Sequence, residues 1–209
     1  MEQTFKEAER LESEIILSLN TISECKRNYE KVLLTDPESE LAMIACFKLG
    51  KLNEVFGHYE EAIDYYRKLL TLFPAGHLGA GALLNMAQIY QLHLEEPDNA
   101  IITYKQLLHF YPESELRLTA LLHLGQYRSR KEEWEKAVLY FQQIVREFPH
   151  EKVSDEICFR IADICMHKLD DRTQAHAWYH RLLENYPRSP WVEVVRKRLT
   201  LENANDNGK

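Results

Sequence analysis

YEEAIDYYRKLLTLFP, residues 59–74, sets three tyrosines and paired leucines around one small residue, Ala62, and stops at a proline. That proline decides the fold, because five of the seven prolines stand at 37, 74, 112, 149 and 187, at intervals of 37, 38, 37 and 38 residues. A fixed period of that length marks an array of like units. Twelve residues before each of these prolines stand Cys25, Ala62, Ala100, Ala137 and Ala175, and eight before stand Tyr29, Tyr66, Tyr104, Phe141 and Tyr179. Five before come Val32, Leu69, Leu107, Ile144 and Leu182. Small, aromatic and aliphatic side chains spaced by four and then three residues share one helical face, so each unit ends in an amphipathic helix halted at its proline.

The segment after each proline repeats as well. Four residues on are Leu41, Leu78, Leu116, Val153 and Trp191; twelve on are Leu49, Met86, Leu124, Ile161 and Leu199. The next column holds Gly50, Ala87, Gly125, Ala162 and Thr200, small enough in most units to let a second helix approach closely. Each unit is therefore read as a helical hairpin. Its turn is expected at Gly57-His58, Glu96-Pro97, Lys131-Glu132 and Asp170-Asp171, with Pro97 suited to a first helical position.

These columns resemble the tetratricopeptide repeat. Leu49, Gly50, Ala62, Tyr66 and Pro74 match its pattern, as do Leu124, Gly125, Ala137, Phe141 and Pro149. The unit ending at Pro112 departs from it with Ala87 but keeps Tyr90, and the unit ending at Pro187 carries Ala162 and Cys165 in those places. The first unit has Cys25 for the alanine, with Ala8, Leu11 and Ile15 as its apolar stripe. The resemblance covers about residues 5–200 and implies an all-α fold: an α-solenoid of five helical hairpins ending near 37, 74, 112, 149 and 187, then a capping helix over 189–202. The usual repeat of the family is shorter. YPESELRLTALLHLGQY and YPRSPWVEVVRKRL are similar to the bacterial long-repeat group that includes the periplasmic coordinator of the Tol-Pal system and the repeat lipoprotein of the outer-membrane assembly machine.

The uninterrupted period implies one solenoid over 1–202, and residues 203–209 are expected to form a flexible tail. A formal charge of −7 speaks against nucleic acid as the partner, since backbone phosphates need a cationic surface; the clusters at Arg128, Arg130 and Lys131 and at Arg196 to Arg198 are read as solvated faces or contacts with acidic partners. No apolar run reaches the length of a membrane span, and IILSL, residues 15–19, is too short for a signal-peptide core. As it stands the chain is expected in the cytoplasm; the export signals of the relatives named above would place it in the periplasm if a leader has been removed. Cys25, Cys46, Cys158 and Cys165 fall in core columns and are read as small buried hydrophobes.

Catalytic chemistry finds little support. His176, His180 and Glu184 lie one turn apart and could present ligands to zinc, but they flank the packing residues Ala175 and Tyr179 and are read as an exposed face, so no metal or cofactor is expected. The carboxylate pairs Glu60-Glu61, Glu95-Glu96 and Glu132-Glu133 are expected to open second helices and offset the helix dipole. Gly76, Gly79 and Gly81 are either a hinge or a site of tight packing.

In this family the first helices line an inner, concave face along which partner peptides lie. Transferred by column, that places Phe47, Leu84, Leu122 and Phe159 on the groove, flanked by Lys51, Gln88, Gln126 and Asp163, then by Glu54, Gln91, Ser129 and Met166, then by Val55, Leu92, Arg130 and His167. Two readings of the apolar column stay open: it receives a partner, or it packs between adjacent first helices. The family's two-carboxylate clamp is not reproduced, because Lys51 lacks a matching Asn in the next unit. The expectation is a non-enzymatic scaffold for a protein or peptide partner, or else an envelope-assembly component, with solenoid ends open to pairing with a second copy.

Overall fold

The computed structural model describes residues 1–14 and 19–206. Among them are eleven α-helices and no strand: α1 (Glu2–Glu14), α2 (Leu19–Thr35), α3 (Glu40–Val55), α4 (Tyr59–Leu72), α5 (Gly79–Leu92), α6 (Pro97–Phe110), α7 (Arg117–Arg130), α8 (Trp134–Glu147), α9 (Ser154–His167), α10 (Arg172–Asn185) and α11 (Val192–Asp206). They form the five hairpins and lone final helix that the proline period predicts. Two compact units hold them, Met1–Arg117 and Leu118–Lys209.

Within each unit the repeat columns are the core. Cys25, Ala62, Tyr29, Tyr66, Tyr104, Leu69 and Leu107 are buried in the first, and Ala137, Ala175, Phe141, Tyr179, Ile144 and Leu182 in the second. Hairpin closure depends on the small column. A methyl group on Gly50 would lie 2.4 Å from the Tyr66 ring, and one on Gly125 2.4 Å from the Phe141 ring, so the aromatic of each second helix sits directly on the first. Ala8 and Leu11 are buried as expected, whereas Ile15 and the rest of 15–18 lie outside the described residues. All four cysteines are buried free thiols.

The turns correct one expectation. Gly57, Glu95, Glu132 and Asp170, at one column of four successive hairpins, adopt left-handed backbone with φ of 75°, 55°, 57° and 52°. Such a residue lets the amide after it reach back and close the helix end: His58 N–H donates to Asn53 O at 2.8 Å, Glu96 N–H to Tyr90 O at 2.8 Å, Glu133 N–H to Arg128 O at 2.9 Å and Asp171 N–H to Cys165 O at 2.9 Å. Glu60 and Glu61 do open α4. Glu95 and Glu132 instead stand in the turn, and Glu96 and Glu133 flank their helices, because the column calls for a left-handed residue first. Pro97 is the first residue of α6, as its missing N–H favours.

At the other end of each hairpin the residue before the proline is Phe73, Tyr111, Phe148 or Tyr186, and its N–H closes the last turn of the preceding helix at 2.8–3.1 Å. The tyrosines among them also reach back one repeat. Tyr111 Oη donates to Pro74 O, and Tyr186 Oη to Pro149 O, each at 2.9 Å. Gly79 makes room for the first tie, since a methyl there would stand 1.8 Å from Tyr111 Oη. That close approach answers for the glycine as packing. The final helix runs past the expected boundary at 202 to Asp206, there being no proline to stop it; 207–209 lie outside the described residues.

Candidate functional site

The columns transferred to a partner groove all lie on the first helices α3, α5, α7 and α9, and each unit presents its own set. In the first unit Phe47 is half-buried, its ring centroid 5.8 Å from that of Tyr66 and its edge 3.2 Å from where a methyl on Gly81 would stand. The ring therefore fills the space between α3, α4 and α5. Phe159 does the same in the second unit: it stacks on Trp191 at 4.3 Å and 16°, tilts against Tyr179 at 6.2 Å, and carries the Arg198 guanidinium 4.8 Å from its centroid. Of the two readings of the apolar column, packing between helices accounts for both phenylalanines. Leu84 and Leu122 are half-buried on the same column.

The next columns are shaped by the buried tyrosines. A phenol taken out of water needs a partner for its hydroxyl. Tyr66 donates to Glu54 at 3.1 Å and accepts from Asn85 at 3.1 Å, while Glu54 also pairs with Lys51 at 3.1 Å. Burial and the Glu54 charge push the Tyr66 phenol above its ordinary range. Tyr104 donates to Gln91 at 3.2 Å. Phe141 has no hydroxyl, and the Ser129 at that column turns to the Gly125 carbonyl at 3.0 Å. In the fifth hairpin the column holds Met166, which cannot serve Tyr179, so Arg198 of α11 donates to it at 2.8 Å and pairs with Asp163 at 2.5 Å. His167 lies 3.6 Å from Asp163. Glu54, Gln91 and Asp163 are thus engaged inside the chain. Tyr66 and Tyr104 thus each find a polar partner on the preceding helix, whereas Tyr179 finds its partner on the following one.

What remains open is narrower. Val55 and Leu92, 71% and 62% exposed, occupy one column on α3 and α5 at the ends of those helices, with Gln88 half-buried nearby on α5. In the second unit Gln126 is half-buried and Arg130 exposed on α7. The basic clusters are partly spoken for. Arg128 pairs with Glu133, and Arg196 with Glu193 at 3.1 Å. His176 is half-buried on α10 with His180 and Glu184 exposed; among the described residues no group of three His, Cys, Asp or Glu is set to hold a metal ion. Nor is any described helix long and apolar enough to cross a membrane.

The fold matches solved structures throughout. A crystal structure of the MamA protein superposes with a TM-score of 0.60 at 19% identity, over 90% of this chain and 94% of that one. A tetratricopeptide repeat protein from Parabacteroides merdae gives 0.60 at 18%, over 91% of this chain and 69% of that one. YrrB, described as a TPR protein with an unusual peptide-binding site, gives 0.52 at 17%, over 91% and 88%. At these identities the likeness is one of fold, and no curated protein matches the sequence. Two family models, both described as tetratricopeptide repeat, match 81–114 with 119–150 and 44–75. Those spans coincide with the hairpins α3/α4, α5/α6 and α7/α8, and residues 44–75, 81–114 and 119–150 of this chain are tetratricopeptide repeats.

Proposed function

We propose that the chain is a non-catalytic scaffold that binds a partner peptide or helix on the exposed face of its first helices. The observation that carries this reading is the pair Val55 and Leu92, apolar, largely exposed and one repeat apart, beside Gln88 and the Lys51 ammonium. Exposed apolar anchors at a helical repeat with polar neighbours suit a segment whose side chains enter between helices while its backbone meets the amides. The likeness to YrrB adds support, since that protein is described with a peptide-binding site on the same fold. Photo-crosslinking residues placed at Val55 and Leu92 should capture one partner from native lysate, and the same residues at Asp64 and Lys105 on second helices should not. Equal capture from both sets would refute the assignment.

A second reading, assembly of the bacterial envelope, rests on the resemblance of the Tyr-Pro stretches YPESELRLTALLHLGQY and YPRSPWVEVVRKRL to the long-repeat group. Fractionation of the tagged native protein tests it: recovery with the periplasm would support it, and recovery with the cytoplasm would reject it.

A further inference from the structure

The junction between the fourth and fifth hairpins holds a cleft that nothing in the repeat scaffold requires. Lined by the turns after Pro149 and Pro187 and by the end of α10, it has a volume of about 680 Å³. The Tyr186 to Pro149 hydrogen bond lies in it, and Lys152, Arg181, Arg188 and His150 stand around its rim. The three permanent cations are exposed, and none makes an ion pair among the described residues; Arg181 only rests on the Trp178 ring at 4.9 Å.

The first unit supplies an internal comparison. Its own tie, Tyr111 to Pro74, is built the same way, yet the positions matching His150, Lys152, Arg181 and Arg188 are Ala75, His77, Gln106 and Glu113. Proline, tyrosine and the following serine recur at both junctions; the cations do not. Lys152, Arg181 and Arg188 outnumber the carboxylates of Glu151 and Asp155 in the same lining, and a cleft with an excess of positive charge stands out in a chain of net charge −7. Glu151 and Asp155 sit among the cations. They would repel a densely charged phosphate backbone, whereas a peptide with spaced carboxylates and amide donors meets both signs. Pro149, Pro187 and the Tyr186 ring offer apolar surface to the methylenes of such side chains.

We propose that this cleft is a docking site for an acidic peptide segment of a partner protein, separate from the face that carries Val55 and Leu92. The probe is a fluorescent, acetylated peptide of six Glu-Gly repeats, followed by anisotropy at low salt. Binding should be measurable for the wild-type chain and should weaken about tenfold in the triple variant Lys152→Gln, Arg181→Gln, Arg188→Gln, as the loss of three exposed charge pairs implies. A control that removes the same charge from second helices of the first unit, Lys31→Gln, Lys68→Gln, Lys105→Gln, should bind as wild type. Circular dichroism checks that both variants fold; if the first does not, Arg188→Gln alone, on an exposed turn, takes its place with a smaller loss. No binding to wild type, or equal weakening by the two triples, would overturn the site. Tighter binding of an oligonucleotide of the same charge would overturn the peptide as its occupant. Crosslinking at Val55 should be unaffected by the cleft variant, which keeps the two surfaces experimentally distinct.

Discussion

Gly79→Ala should destabilise the first unit, although glycine-to-alanine in a helix ordinarily does the reverse. The favourable part is at most about 1 kcal/mol, and smaller here because Gly79 is the first residue of α5. Against it stands a methyl 1.8 Å from Tyr111 Oη and 2.3 Å from its Cζ, which no side-chain adjustment at position 79 can relieve. The Tyr111 ring must move, giving up its 2.9 Å hydrogen bond to Pro74 O, about 1 kcal/mol. Repacking around an overfilled site costs about 1–3 kcal/mol more. The net is a loss of about 1–3 kcal/mol, read as a melting temperature lower by roughly 5–15 °C for a cooperative unit of this size. Thermal unfolding followed by circular dichroism measures it. Tyr111→Ala completes a double-mutant cycle: in that background Gly79→Ala should be neutral or slightly stabilising, because the clash has gone. If Gly79→Ala is as stable as wild type, or costs as much without the tyrosine, then the tie is not what the glycine serves.

The left-handed turns give a prediction of opposite sign. Glu132→Gly and Glu95→Gly should each stabilise by about 1 kcal/mol, since a side chain at positive φ is strained and glycine is not, while Gly57→Ala should cost about as much even though its methyl meets open space; urea midpoints that stay unmoved would refute this. Phe47→Ala and Phe159→Ala should each lower stability by about 3 kcal/mol through lost packing, whereas Val55→Ser and Leu92→Ser should leave the melting temperature within a degree or two of wild type. A binding loss seen with the phenylalanine variants would accordingly report unfolding. Burial pushes the thiols of Cys46, Cys158 and Cys165 up to about 11, 12 and 11 from an ordinary 9. The unfolded chain releases those protons first, so the stability they contribute is complete below pH 9 and is lost as pH rises toward 11–12. Urea unfolding at pH 8 and pH 10.5 should give the lower stability at the higher pH, and equal values would contradict the burial argument.

The hairpins were legible because the core repeats: proline, alanine and aromatic columns follow from helix geometry and need no knowledge of distant contacts. Turn backbone was not. Glutamate at 95 and 132 carries no local sign of positive φ, and the acidic pairs read more naturally as helix-opening residues. The groove columns meet a different limit. Phe47 and Phe159 lie on first helices, and whether a ring there meets solvent or the next helix depends on what the neighbour offers, here Gly81 and Trp191. Glu54 and Gln91 show the same limit, since their partners are tyrosine hydroxyls on the following helix. The cationic cleft draws residues from the turns after Pro149 and Pro187 and from the end of α10, and no single stretch of sequence displays it.

The ties from Tyr111 to Pro74 and from Tyr186 to Pro149 have a bearing on how each unit comes apart. In a stack of like elements, the boundary between an ordered repeat and a melted neighbour carries a free-energy cost equal to the contacts severed there. A hydroxyl that spans two successive prolines adds to that cost at one seam, so fraying that begins at a terminus should stall before crossing it, and the two hairpins it joins should exchange their amide protons together.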